Sequence, residues 1–137
     1  MVYKSQPYFD GGKAMTKIST AEWKIMSKLW EEEPRTITQL TKELFEETGW
    51  DKHTIMTYLK RLENKEVVYH VDGGRAKLYY AKIKQSEAEI NEIQTFLNKA
   101  FKGKIGLMLS TMVQEEALSD ADLEELTEML KNRKGEK

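Results

Sequence analysis

Apolar positions along this chain keep helical spacing through most segments and switch to a strand-like run in one. Trp23, Met26, Leu29 and Trp30 recur at three- and four-residue steps, as do Ile37, Leu40 and Leu44, and then Ile55, Tyr58, Leu59 and Leu62. Each set marks one buried face of a helix. Ser19 and Glu22 make a capping box flanked by a staple of Ile18 and Trp23, so a first helix begins near Thr20; Pro34, behind Glu31-Glu32-Glu33, marks its end. Thr38 is the candidate cap of a second helix and Gly49 its terminating glycine. Asp51 caps a third, stapled by Trp50 and Ile55 and running to about Glu63. The turn from Gly49 to Trp50 makes the last two a helix-turn-helix.

The pattern then changes. Val67 to Asp72 is β-prone, Gly73-Gly74 supplies the positive φ of a tight hairpin, and Lys77 to Ala81 returns as a second strand. This predicts a mainly α protein whose N-terminal part is a winged helix-turn-helix with a small β-hairpin wing.

Charge sharpens the reading. Residues 16–51 carry 5 basic and 8 acidic side chains, net −3, whereas residues 52–83 carry 7 basic and 3 acidic, net +4. Chain totals conceal this, since 22 Lys plus Arg against 23 Asp plus Glu leave a net charge of −1. The third helix turns His53, Thr54, Thr57, Lys60, Arg61 and Asn64 away from its apolar arc. Lys and Arg neutralise phosphates or donate to guanine, and Thr offers a hydroxyl to a base edge and a methyl to thymine. Arg75 and Lys77 at the hairpin tip reach phosphates beside the groove that such a helix enters. A basic amphipathic helix is also an ordinary solvated surface, and the basic tip is the part which that reading leaves unexplained.

From Lys84 onward 8 basic and 11 acidic residues accompany three more helical patterns. Ser86 with Glu89 is a candidate capping box ahead of Ile90, Ile93, Leu97 and Phe101, and Gly103 and Gly106 flank a break. Ile105, Met108, Leu109, Met112 and Val113 form the next apolar face, and Ser119, between Leu118 and Leu123, starts a last helix carrying Leu126, Met129 and Leu130. Helices this short bury too little by themselves and need a partner. Packing on the first half is one solution and pairing with a second copy is another.

Taken in order, ISTAEWKIMSKLW, GWDKHTIMTYLKRLENK, GGRAKLYY, FLNKAFKGK and LSDADLEELTEMLK resemble the penicillinase-repressor family over Ile18 to Leu130. The resemblance implies a homodimeric winged-helix transcriptional repressor bound to an inverted-repeat DNA operator. It implies DNA contacts from His53, Thr54, Thr57, Lys60 and Arg61 and from a wing at Gly73, Gly74, Arg75 and Lys77. His53 stands where some members carry lysine and Met56 where an arginine is familiar. It also favours the second copy as the partner of the C-terminal helices, with Ile93, Leu97, Phe101, Met108, Leu109, Met112, Leu126 and Leu130 as a Met-rich dimer core rather than a cofactor box. The expected organisation is a leader or mobile arm at 1–15, a winged-helix DNA-binding domain at 16–83 and a helical dimerisation domain at 84–137. A regulatory protease or sensor is a further candidate partner. Relatives released by proteolysis are cut at an Asn-Phe bond, which falls here on Thr111-Met112, and the cysteine-rich tail of the copper-responsive relatives is absent.

Other classes find little support. A winged helix can instead be a protein-interaction module, for which Lys60, Arg61, Arg75 and Lys77 on one surface have no purpose. No nucleophile motif or phosphate-cradling glycine loop is present, so no catalytic residues and no cofactor are expected. With no cysteine and with His53 and His70 as the only histidines, a closed zinc site has too few ligands, and no metal is expected. No apolar run is long enough for a membrane span or a signal sequence, which places the protein in the cytoplasm.

Overall fold

A computed structural model describes residues 17–135; the leader expected at 1–15 lies outside the described residues. The chain runs through α1 (Thr20–Glu31), α2 (Ile37–Thr48), α3 (Lys52–Asn64), β1 (Val68–Asp72), β2 (Lys77–Ala81), α4 (Gln85–Phe101), α5 (Ile105–Gln114) and α6 (Asp120–Gly135). Two compact units part inside α4, the first ending at Glu92 and the second starting at Ile93.

In the first unit the helix ends follow local chemistry. Ser19 Oγ accepts the Glu22 N–H at 3.1 Å and Glu22 Oε1 accepts the Ser19 N–H at 2.8 Å, closing the capping box of α1. The second helix starts earlier than Thr38. Thr36 is its cap, because Gln39 lies three residues on: Thr36 Oγ1 accepts the Gln39 N–H at 3.1 Å and Gln39 Oε1 accepts the Thr36 N–H at 2.8 Å. Thr38 has Thr41 at that spacing and no such partner. Gly49 ends α2 in the left-handed conformation, φ 72°, with its N–H bonded to the Phe45 carbonyl at 2.7 Å.

Val67 belongs to the end of α3 rather than to β1. Its N–H bonds the Leu62 carbonyl at 3.0 Å while the Glu66 N–H bonds Glu63 at 2.9 Å, a Schellman motif that sets Glu66 at φ 64°. Strand pairing therefore begins at Val68, with Val68 opposite Ala81 and Asp72 opposite Lys77 in an antiparallel register. Of the two turn glycines only Gly74 has positive φ, 91°. Gly73 is needed for space instead, since a Cβ there would lie 2.7 Å from the Ala76 carbonyl oxygen and 2.8 Å from the Leu78 side chain.

The core joins Ile25, Met26 and Leu29 of α1 to Leu40 and Leu44 of α2, Ile55, Leu59 and Leu62 of α3, and Val67, Val68 and Tyr79 beside the hairpin. Trp23 and Trp30 pack edge-on at its margin, ring centroids 5.4 Å apart. Fully burying one such aliphatic side chain is worth about 1.5–3 kcal/mol, so this cluster is what outweighs the entropy of ordering three short helices. Glu22 sits beside it at 1% exposure, an ionised group on the same helical face as Met26 and Leu29. Lys65 Nζ lies 2.5 Å from its Oε1 and also donates to the Lys17 carbonyl at 2.8 Å, tying α1 to the end of α3.

Still in the first unit, Lys84 rather than Ser86 marks the start of α4, its N–H donating to Glu87 at 2.9 Å, and α4 carries the chain into the second unit. Gly103, φ 81°, forms the break after α4, whereas Gly106 is already inside α5. Ser119 and Asp122 close a reciprocal cap on α6, at 3.0 and 3.2 Å. Leu97 is buried, while Ile93, Phe96, Ile105, Leu107, Leu109, Val113, Leu123, Met129 and Leu130 are exposed.

Burial pushes the Glu22 carboxyl up, but hydrogen bonds from Lys65 and the Ser19 backbone outweigh it and hold the pKa below its ordinary value. A carboxylate depressed in the folded state stabilises above its unfolded pKa and loses that contribution as pH falls through the folded value. Glu22→Gln should cost about 2 kcal/mol at neutral pH, below the ~3–5 kcal/mol of breaking a fully buried pair because Lys65 can turn to solvent. Urea melts of both proteins from pH 7 to pH 3 should show the gap closing on the acid side.

Candidate nucleic-acid interface

The surface expected to meet DNA is built on α3, and its cap comes first. Asp51 Oδ1 accepts the Thr54 N–H at 2.9 Å, and this bond holds the exposed carboxyl below its ordinary pKa. Ile55, Leu59 and Leu62 anchor the opposite face in the core, so the outward arc has a fixed rotation. His53, Lys60 and Arg61 are exposed and Thr54 and Thr57 half-buried along it. Thr57 Oγ1 donates to the His53 carbonyl at 3.0 Å, which leaves the hydroxyl as an acceptor and the methyl as an apolar contact. Arg61 lies over the Tyr58 ring, 5.5 Å from its centroid, and Tyr58 in turn packs on Trp50 at 4.9 Å. That stack limits the guanidinium's freedom before anything binds.

The wing is fastened beside this helix at three points. His70 Nδ1 of β1 pairs with the Glu63 carboxylate of α3. The backbones of Arg35 and Tyr79 exchange hydrogen bonds of 3.2 and 2.9 Å, extending the sheet by one bridge, while the Arg35 side chain bonds the Glu32 carbonyl at 3.0 Å and pairs with Glu43. Glu33 Oε1 accepts the Ala81 N–H at 2.8 Å. Glu33 is therefore a ligand of the sheet edge, not only part of a solvated acidic helix end. Burial and then the Glu63 charge push the Tyr79 hydroxyl up.

Gly73, Gly74, Arg75 and Lys77 are all exposed at the tip. Among the described residues Lys52, Lys60, Arg61, Arg75 and Lys77 form no ion pair, whereas Lys24, Lys28, Arg35, Lys65, His70 and Lys82 each have an acidic partner. Among the described residues of the first unit, the other cations without an ion pair are Lys17, Lys42 and Lys84, so most of its unpaired positive charge stands on α3 and the wing. The second unit carries unpaired cations of its own, Lys99, Lys102 and Lys104 among them. Arg75 and Lys77 also meet Lys52, Met56, Thr36 and Thr38 around a cleft of about 270 Å³. Lys52, at the first position of α3, escaped the helical-face reading because it projects toward the wing rather than along the outward arc. No three His, Asp or Glu side chains of the described residues come together as metal ligands.

The expected dimer residues lie in the second unit by themselves. Ile93, Leu109 and Leu130 are exposed, Phe101, Met108, Met112 and Leu126 half-buried, and Leu97 is 5% exposed in the single chain. Phe96, Leu107 and Val113 are exposed apolar residues absent from the expected set. Leu107 and Val113 belong to an apolar surface that nearly surrounds α5, a pattern that no single stripe describes, whereas Phe96 stands on α4 beside Leu97.

Three helices, a helix-turn-helix and an antiparallel hairpin at the end of its second helix define a winged-helix protein. Residues 18–132 match the family described as penicillinase repressor, and the chain belongs to that family of transcriptional repressors. The methicillin resistance regulatory protein MecI of Staphylococcus aureus is 26% identical over 117 residues, spanning 85% of this chain and 95% of its own. A penicillinase repressor of Bacillus licheniformis is 29% identical over 125 residues, covering 91% and 98%. The solution structure of the DNA-binding domain of the repressor BlaI shares 32% identity, with a TM-score of 0.49 over 55% of this chain and 92% of that one.

Gly73→Ala tests the hairpin. The added Cβ must displace the Ala76 carbonyl that accepts the Gly73 N–H at 2.9 Å, so the tip should be remodelled at a cost of about 1–3 kcal/mol. Gly74→Ala meets no atom and should cost only the positive-φ strain, about 1–2 kcal/mol. Amide exchange at Leu78 and Tyr79 compares the two, with the larger loss of protection expected for Gly73→Ala.

Proposed function

We propose that this protein is a sequence-specific transcriptional repressor without catalytic activity that binds an inverted-repeat DNA operator as a homodimer in the cytoplasm. The observation that carries this reading is the set of unpaired cations on α3 and the wing, within a chain of the penicillinase-repressor family. In this reading the N-terminal winged helix, residues 16–83, is the DNA-binding domain. The outward arc of α3 enters the major groove, where His53, Thr54, Thr57, Lys60 and Arg61 meet base edges and phosphates. Arg75 and Lys77 hold the flanking backbone, with Gly73 and Gly74 letting the tip approach it.

Residues 84–137 supply the partner contact. The exposed apolar side chains of the second unit are covered when two copies pair, through Ile93, Phe101, Met108, Leu109, Met112, Leu126 and Leu130 around Leu97, which one chain already buries. Pairing sets two copies of α3 about a two-fold axis, so half-sites are spaced by about one DNA turn or a multiple of it. A regulatory protease or sensor is the candidate trigger of release, and a protease specific for the relatives' Asn-Phe pair should not act on the Thr-Met bond present here. The Thr111–Met112 bond lies inside α5, where a cut separates the two reading heads and removes the effective concentration that linkage provides.

Salt titrations test the DNA reading. Arg75→Ala or Lys77→Ala should weaken operator and random duplex alike and flatten the salt dependence by about one unit each. Thr57→Ala should instead lose about 1–3 kcal/mol on the operator with little change on random DNA. A full chain whose duplex binding is indifferent to salt would favour a protein-interaction module instead.

Sedimentation tests the dimer. Leu109→Asp combined with Leu130→Asp changes two exposed positions and should leave the first unit folded. The expected product is a monomer whose operator affinity drops by at least about 100-fold, the scale of lost avidity.

A further inference from the structure

Met56 is 49% exposed on α3, beside a surface rich in cations and hydroxyls. It lies one helical step, about 100°, from the core residue Ile55, at the wing-side margin of the outward arc. The cleft it lines is shared with Thr36, Thr38, Lys52, Arg75 and Lys77 and with the apolar Ile37 and Ala76, and has no carboxylate on its walls. Such a cleft suits a polyanion, so the occupant that Met56 meets is DNA. A thioether has no donor and only a weak acceptor to offer base edges. The one apolar group that the major-groove edges present is the thymine 5-methyl. Methionine is unbranched and polarizable, and it adapts to a small apolar target better than a β-branched residue.

We infer that Met56 is a specificity-determining residue that takes the 5-methyl group of a thymine in each half-site, between the phosphates held by Lys52 and by the wing. This rests on the DNA-binding reading above. It adds a preference that hydrogen-bond matching does not supply, since deoxyuridine presents the same donors and acceptors as thymidine and lacks only the methyl.

The test begins by selecting duplexes from a random pool with the full chain. Each thymine of the selected site is then replaced in turn by deoxyuridine. At one thymine of a half-site the swap should weaken the wild-type protein about fourfold, the effect of returning one methyl to water. Met56→Ala should bind the thymine duplex as weakly as the wild type binds the deoxyuridine one, and should no longer distinguish the two. Met56→Leu keeps an apolar side chain and should retain the preference. Random-duplex affinity, unchanged in both variants, reports that they are folded. The inference is overturned if no thymine is methyl-sensitive, if Met56→Ala keeps the wild-type pattern, or if Met56→Leu loses it. Failure of the selection to enrich any sequence would instead strike the DNA-binding reading itself.

Discussion

A two-stranded hairpin is marginal in water, so the wing of this protein exists only because the helices hold it. Val68 and Tyr79 supply the apolar attachment, while Arg35 and Glu33, from the short connection between α1 and α2, supply the polar one. Arg35 is central to this arrangement. Its backbone extends the sheet, and its nearly buried guanidinium is satisfied by the Glu32 carbonyl and the Glu43 carboxylate. A buried guanidinium with fewer partners would be costly, and these bonds fix the connection in one conformation. The distance between the wing tip and α3, and with it the width of the surface offered to DNA, follows from that attachment.

Local signals in the sequence were sufficient for most of the first unit. The Ser19–Glu22 box, the Asp51 cap and Gly49 each act within four residues, and each appears where the residues imply. The Thr36–Gln39 box is equally local and equally legible, since Thr36 directly precedes Ile37 and has a glutamine three residues on, which Thr38 lacks. The displaced start of β1 has a different cause. A Schellman motif usually recruits glycine, and here Glu66 takes the left-handed position, so composition gave no sign that Val67 was still part of the helix end. The fastening of the wing could not be read at all. Arg35 to Tyr79, Glu33 to Ala81 and Glu22 to Lys65 join residues more than forty positions apart, and neither periodicity nor propensity carries that information.

The candidate interface divides in the same way. Outward placement of His53, Lys60 and Arg61 follows from helical geometry and was legible. That Thr57 spends its proton on the His53 carbonyl, or that Arg61 rests on Tyr58, depends on rotamers and neighbours and was not. In the second unit the apolar spacing correctly marked helices but could not say which faces a single chain leaves open. Leu97 is covered within the chain and Phe96, beside it, is not.

The two sides of α3 answer to different demands. Ile55, Leu59 and Leu62 are locked by the packing of three other elements, and exchanging any of them disturbs the whole unit. Across the helix His53 and Lys60 are exposed and Arg61 rests on Tyr58, and substitutions at exposed positions usually shift stability by less than about 0.5 kcal/mol. With this arc as the reading surface proposed above, target choice can drift, one exposed residue at a time, while the scaffold stays as it is. A lineage carrying this fold can be rewired to new promoters without passing through an unfolded intermediate.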